Sequence, residues 1–236
     1  MAVEIRPRVA VLDVDPELAQ ELTPDQLAAA RAVAIATVVT LPRGTWRPPP
    51  RAGAGGHLGL LVLDGWLTRT IHLLGRTSMQ LLGAEDLVRP WDDDGAIGSV
   101  PRTVTWTVHE PARVAVLDRG FVERVMPWPE ITSGLIARAL RHSSWLDSHL
   151  AILENPSVEQ RTLLFLWHLA DRWGRVGADG VQVPVRVTHE TLGRLVRAQR
   201  PSVTRAVNQL AARGALSRGA DGTWRLHGEP PSELAA

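Results

Sequence analysis

The sequence predicts an α+β chain: an antiparallel β-roll of jelly-roll type, then a long helix, then a winged helix-turn-helix. Three observations predict it. Short apolar runs separated by turn residues fill the first half of the 236 residues. From Glu130 to Leu153 there is no proline and only one glycine, Gly134, and apolar residues keep a helical period. Near the tail, two short helical patterns precede two strand-like segments flanking Asp221-Gly222. The expected domains are 1–128, 129–154 and 155–236.

Taken in order, Asp15 to Leu22 and Pro24 to Ala32 read as short helices. Thr23-Pro24-Asp25 supplies a cap and a first-turn proline to the second. Val33 to Leu41 is β-branched and apolar, as a strand would be, and Pro42 to Gly56 reads as a loop. Strand patterns follow at Leu58–Leu63, Trp66–Leu74, Met79–Leu82, Thr103–His109 and Arg113–Leu117. Asp64-Gly65 reads as a hairpin turn. Many short strands at close spacing suggest a roll or sandwich rather than a parallel sheet. Trp46, Trp66, Trp91 and Trp106 fall here, as core or pocket wall. Asp92-Asp93-Asp94-Gly95 reads as an exposed turn, and no glutamate follows to close a calcium-type loop.

After Asp118 the period changes. Phe121 to Met126 reads as a helix, and Pro127-Trp128-Pro129 interrupts it. Within the long helix, Ile136, Ala139, Ser143, Leu146, Leu150 and Leu153 are spaced as a heptad seam over about two and a half heptads. Such a helix is roughly 35 Å long. The seam is read as a two-fold dimer contact, the alternative being packing on its own domain. His142 and His149 lie seven apart and share a face; they are read as surface histidines, although they could bridge two chains or a metal. Asn155-Pro156 ends the helix, and Ser157 caps the next, whose Leu163, Leu164, Leu166, Trp167 and Ala170 are expected in a second core.

The stretch VTHETLGRLVRAQRPSVTRAVNQL carries the functional signal. Thr188 is placed as an N-cap, with Glu190 near the positive end of the helix dipole. Leu192, Leu195 and Val196 form the inner face of the first helix. Arg197 to Arg200 break the pattern, and Pro201 restarts it. Val203, Val207 and Leu210 face inward, leaving Ser202, Arg205, Asn208 and Gln209 outside. Long hydrogen-bonding side chains without acids suit the base edges of a major groove. Arg213-Gly214 closes this helix; Ala215–Ser217 and Thr223–Leu226 make the wing. Between Arg186 and Arg225 eight arginines face two acids, Glu190 and Asp221, whereas the whole chain carries a formal charge of only +1. Basic charge is thus concentrated where nucleic acid would sit.

Composition narrows the remaining classes. There is no cysteine, so disulfides, cysteine-ligated iron–sulfur clusters, cysteine-type zinc and thiol catalysis are excluded. Arginine carries all the fixed positive charge, because lysine is absent. The opening MAVEIRPRV has no apolar signal core and no run of about 18 apolar residues occurs, so a soluble cytoplasmic protein without a membrane partner is expected. No paired-histidine metal motif, no phosphate-cradling loop and no Ser-His-Asp arrangement is present, so catalytic and metal residues are expected to be none.

The order of roll, long helix, hinge and winged helix resembles the cyclic-AMP receptor protein / fumarate–nitrate regulator (Crp/Fnr) family. The resemblance spans nearly the whole chain and is strongest in VTHETLGRLVRAQRPSVTRAVNQLAARGAL; LLGAEDLVRPW and VAVLDRGFVERV are similar to a turn and to the last strand and short helix of its cyclic-nucleotide-binding-like roll. It implies a homodimeric transcription regulator that binds double-stranded DNA, with RNA polymerase as a further partner. It implies DNA contacts from Thr188, Arg197, Gln199, Arg200, Pro201, Ser202, Arg205, Gln209 and Arg218. Arg200 and Arg205 match the family's base-reading arginines, and Ser202 a phosphate-contacting hydroxyl. Pro201 stands where many members have an acidic reader of cytosine. Arg197 stands where the turn usually has a glycine, so either its backbone is strained or the turn differs locally. For an effector, the resemblance points to Arg89, Arg102, Thr103, Ser143 and Ser144. Arg89-Pro90 replaces the Gly-Glu pair of cyclic-nucleotide binders, while Arg102-Thr103 falls near their Arg-Ser pair. A different small ligand, or none, is therefore expected rather than a cyclic nucleotide, and no cofactor is assigned. Two other readings stay open: a cupin-type small-molecule enzyme, or a protein-docking adaptor, either retaining a winged helix.

Overall fold

The computed structural model describes residues 7–50, 55–93 and 100–231. Two units are resolved, Met1–Ser143 and Ser144–Ala236. The first unit is built on one antiparallel sheet of β1 (Arg8–Ala10), β2 (Ile35–Leu41), β3 (Gly44–Trp46), β4 (Gly59–Leu73), β5 (Arg76–Leu82), β6 (Leu87–Val88) and β7 (Thr103–Leu117). Its order is β1-β2-β7-β4-β5, with β3 added to β7 and β6 to β4. Helices α1 (Val11–Val14), α2 (Pro24–Val33), α3 (Arg119–Val125) and the start of α4 (Pro129–Glu154) complete it. The predicted cap of α2 is present as a full capping box between Thr23 and Gln26. The helix predicted over Asp15–Leu22 is only a 3₁₀ turn, Pro16–Ala19. β3 lies inside the stretch read as a loop; β1 and β6 were not foreseen either.

Alternation along β4 explains why both faces of the sheet are covered. Leu61 and Leu63 join a cluster with Phe121, Val125, Ile131 and Leu135 from the helices. Leu60, Val62 and Leu67 face the opposite cluster, which holds Trp91 and Trp106. Trp46 meets Trp106 edge-on at 5.5 Å, whereas Trp66 is half-buried.

Asp64-Gly65 is not a hairpin turn. β4 continues through it, opposite an equally continuous β7, with register shifts between Val62 and Leu67. Gly65 has φ +82°, and a Cβ there would lie 2.4 Å from the Pro111 carbonyl oxygen. Asp64 accepts from the Arg113 backbone N–H at 3.1 Å and from its Nε at 2.7 Å. An Asp-Gly pair suits a bulge as well as a turn, and here the paired strand running past it decides. The aspartate turn is corrected too. Asp92 and Asp93 close a 3₁₀ turn, Pro90–Asp93, and Asp93 accepts from Arg69 Nε of β4 at 2.8 Å. Asp94 and Gly95 lie outside the described residues.

The first half of α4 is fastened by charge. Arg138, 6% exposed, pairs with Asp15, 5% exposed, and with Glu17 and Glu85. His142 is not a surface residue: its Nδ1 lies 2.9 Å from Asp86 Oδ1. Removing one partner of a buried pair strands the other charge. Arg138→Met is expected to destabilise the first unit by about 3–5 kcal/mol, with part of the loss recovered in Arg138→Met/Asp15→Asn. Chemical denaturation of the three proteins checks this.

The second unit holds the end of α4, then α5 (Val158–Trp173), β8 (Arg175–Gly177), β9 (Gly180–Val183), α6 (His189–Leu195), α7 (Arg200–Ala212), β10 (Leu216–Arg218) and β11 (Trp224–Leu226). The predicted Ser157 cap accepts from the Gln160 N–H. The buried stripe of α5 is Thr162, Phe165, Leu166 and Leu169, together with Trp167 and His168; Leu163, Leu164 and Ala170 are only half-buried. The wing is one end of a four-stranded sheet, β10-β11-β9-β8, whose β8–β9 hairpin was not anticipated.

His149 is buried rather than superficial, and Trp145 stacks on His168 with ring centroids 4.4 Å apart. His168 Nε2 lies 3.1 Å from the Trp145 carbonyl oxygen and so donates to it. On the other side of α4, Ile136, Ala139, Ser143 and Leu150 of the heptad seam are exposed and Leu146 and Leu153 half-buried; Leu140 beside them is exposed as well.

Candidate nucleic-acid interface

The helix-turn-helix forms because its local signals agree. Thr188 Oγ1 accepts from the Thr191 N–H at 3.1 Å and caps α6. Leu192, Leu195 and Val196 are buried, as are Val203, Val207 and Leu210 on α7. α7 starts at Arg200, one residue earlier than expected, with Gln199 at the N-cap making no side-chain cap bond and Pro201 in the first turn. Arg197 has φ +51°, so the turn keeps the left-handed backbone and places an arginine in it.

The face of α7 that is left carries Arg200, Pro201, Arg205, Asn208 and Gln209 exposed, with Ser202 half-buried. Arg205 and Gln209 are four apart and so lie one above the other. Arg218, on β10, lies over the ring of Trp224 at 5.1 Å. Gly222, at φ +83°, completes the predicted wing turn.

Seven of the eight arginines of this stretch divide into two kinds. Arg194 pairs with Glu190 and Arg225 with Asp179, while Arg213 is held by Glu159. Glu159 and Asp179 lie upstream of the stretch, where counting acids along it did not reach. Among the described residues no acid forms an ion pair with Arg197, Arg200, Arg205 or Arg218. Arginine groups without an internal carboxylate keep their full field and their forked donors for an external anion.

His189 was missed by sequence reasoning, because a lone histidine gives no local signal. Its Nδ1 lies 3.0 Å from Thr204 Oγ1 on α7, and its ring stacks on Trp224 of the wing at 6.0 Å. Burial lowers its pKa first, and the fields of Arg218 and Arg200 lower it further.

The effector candidates are less concentrated. Arg89 donates to the carbonyls of His57 and Leu58 and to Asp92. Arg102 lies 3.8 Å from Asp93, which Arg69 already holds. Thr103 is exposed at the start of β7, and Ser143 and Ser144 are exposed on α4. An anion at either arginine has to compete with an aspartate. Among the described residues no cluster of three or more histidine and acidic side chains is placed to hold a metal, and no helix is long and apolar enough to cross a membrane.

A pH dependence follows from the ring stack in the second unit. Burial, helped by His149 and Arg172, lowers the His168 pKa to about 4. His149 moves the same way through burial, opposed by its bond to Leu195 and reinforced by Arg197. A histidine depressed in the fold contributes full stability above its ordinary value near 6.5, and that stability drains away as pH falls toward 4. The loss is expected to be roughly 2–3 kcal/mol for His168. Thermal unfolding from pH 7 to 4.5 checks it, and His168→Gln should flatten the slope relative to the parent.

Residues 160–227 match the model of the Crp-like helix-turn-helix domain. No curated protein matches the chain. Among solved structures, a cyclic nucleotide-binding domain containing protein from Listeria monocytogenes superposes with a TM-score of 0.65 at 14% identity, over 92% of this chain and 97% of that one. A CooA mutant from Carboxydothermus hydrogenoformans gives 0.62 at 16% identity, covering 90% of each chain. FixK2 from Bradyrhizobium japonicum gives 0.59 at 16% identity, over 82% of this chain and 93% of that one. At these identities the likeness shows a shared fold, the α+β arrangement of roll, long helix and helix-turn-helix.

Proposed function

We propose, for a chain whose residues 160–227 are a Crp-like helix-turn-helix domain, that it is a homodimeric, sequence-specific transcription regulator of Crp/Fnr type. The observation that carries this reading is the segregation of its arginines: Arg197, Arg200, Arg205 and Arg218 surround α7 and the wing without acid partners, while their neighbours are paired. Arg200 and Arg205 read guanine edges in the major groove. Gln209 extends the reading surface one turn further. Thr188, Gln199, Pro201 and Ser202 lie against the sugar–phosphate backbone, and Arg197 and Arg218 neutralise phosphates on either side. The exposed seam of α4 pairs two copies, so that two recognition helices address half-sites about one helical turn apart.

The role is regulatory rather than enzymatic, in the cytoplasm, and RNA polymerase is the natural further partner. The roll serves as an effector domain or a degenerate one. Arg89 and Arg102 each face an aspartate, which supports a small ligand other than a cyclic nucleotide, or none. Selection of bound DNA from a random pool, with and without cell extract, tests the proposal. The expected result is a two-fold symmetric consensus with half-site centres about 10 bp apart. A pool that yields no consensus in either condition favours a protein-docking adaptor.

A further inference from the structure

The turn between α6 and α7 is held from behind by its carbonyl oxygens. His149, near the end of α4, lies with Nε2 2.9 Å from the Leu195 carbonyl oxygen. An acceptor there requires that Nε2 carry the proton, which makes His149 a donor in its neutral Nε2–H form. Arg161, on α5, donates Nε to the Val196 carbonyl at 2.9 Å and a terminal nitrogen to that of Arg197 at 3.5 Å. Its remaining donors go to the carbonyls of Asn155 at 2.6 Å and Pro156 at 3.4 Å, where α4 ends. Three consecutive carbonyls of the turn are thus gripped by two side chains, and one of these also grips the segment between α4 and α5.

The turn has reason to need holding. Arg197 adopts φ +51°, a left-handed conformation that a side-chain-bearing residue holds only when its surroundings impose it. The chain also folds back closely on α6: the Ala198 N–H donates to the Gly193 carbonyl at 2.8 Å, and a Cβ at Gly193 would lie 2.7 Å from the Ala198 carbonyl oxygen. Two residues later α7 begins with Arg200, so a small rotation of the turn swings the reading face as a body. His149 is 4% exposed and lies among the rings of Trp145, Phe165 and His168, so it cannot follow a moving turn without disturbing that stack.

We infer that His149 and Arg161 are positioning residues for base reading: by holding the carbonyls of Leu195, Val196 and Arg197 they set the angle at which α7 presents Arg200 and Arg205. They touch no DNA themselves. The inference rests on the DNA-reading function proposed above and assigns it a specificity determinant lying behind the helix-turn-helix. A misaligned α7 still offers its charge to phosphates, but base-edge bonds are geometrically strict. Loss of the clamp therefore lowers specific affinity and spares non-specific affinity.

The test uses the full-length protein with His149→Leu, His149→Gln and Arg161→Met. Affinities are measured for a selected site and for random duplex of equal length at one salt concentration. Hydrogen exchange of the amides from Val196 to Val203 is measured in the free protein. The expected result is a specificity ratio about tenfold lower in His149→Leu and Arg161→Met, partial rescue in His149→Gln, which keeps a donor, and exchange in the turn at least several-fold faster. Equal losses of specific and random binding, or an unchanged turn in well-folded variants, overturn the inference. A parent protein that selects no sequence overturns the DNA-reading function itself. In that case faster exchange in the variants would show a clamp that serves the fold alone, and the positioning role would fall with the function.

Discussion

Replacing Arg200 and Arg205 together by alanine is expected to lower specific DNA affinity on the order of 10³-fold, while the folded state persists. Each arginine sits on the exposed face of α7, and neither has an acid partner among the described residues. A bidentate arginine–guanine contact is worth about 1–3 kcal/mol of discrimination, so two such contacts account for a loss of that size. Neither truncation empties a core position, because the buried stripe of α7 is Val203, Ala206, Val207 and Leu210. Stability should therefore move by less than about 0.5 kcal/mol. Arg218→Ala is the contrasting control. It removes a charge proposed to face phosphate, so it should weaken all sequences alike and reduce the salt slope by about one. Quantitative gel shifts at several salt concentrations separate the two patterns. If the double variant holds its selected site as tightly as the parent does, α7 is not the reading helix.

The helix-turn-helix was legible because the signals that mark it are local. Thr188 caps within three residues, Pro201 fits a first turn, and the apolar spacing of α6 and α7 has one period. The wing followed from Asp221-Gly222. What was not legible depends on partners far along the chain. Asp64-Gly65 carries the same chemistry in a turn and in a bulge, and only the passage of β7 past Pro111 selects the bulge. β8 and β9 are three and four residues long and draw their stability from strand pairing, β8 on β9 and β9 on β11, so their own pattern is weak. His142 and His149 look like surface residues on a helix wheel. One finds Asp86 and the other the Leu195 carbonyl, 56 and 46 residues away. The same limit applies to the interface, where two of the three paired arginines, Arg213 and Arg225, are neutralised by Glu159 and Asp179, upstream of the motif.

Glutamates at Ile136 and Leu150 are expected to turn a dimer into a monomer and, with it, to abolish tight binding to a two-half-site operator. Both side chains are 52% exposed in the single chain, whereas Ile131, Leu135, Trp145 and His149 of the same helix are buried. Exposed Ile136, Ala139 and Leu150, with half-buried Leu146 and Leu153, recur at heptad spacing along a 26-residue helix, as a two-stranded seam requires. In a two-fold contact each substitution counts twice. With about half of each side chain already buried, losing four of them at roughly half of the 1.5–3 kcal/mol for full burial removes on the order of 3–6 kcal/mol of association energy, before any charge repulsion. A loss of the upper figure shifts a nanomolar dimer into the tens of micromolar. Because these positions are exposed in the isolated chain, unfolding of the monomer should be nearly unchanged, which separates lost pairing from lost folding. The monomer retains one complete reading helix, so binding to a single half-site should persist at the parent's half-site affinity while the gain from a second half-site disappears. Sedimentation and half-site titration together decide the point: a parent that sediments as a monomer, or a double glutamate variant that still sediments as a dimer, removes α4 as the seam.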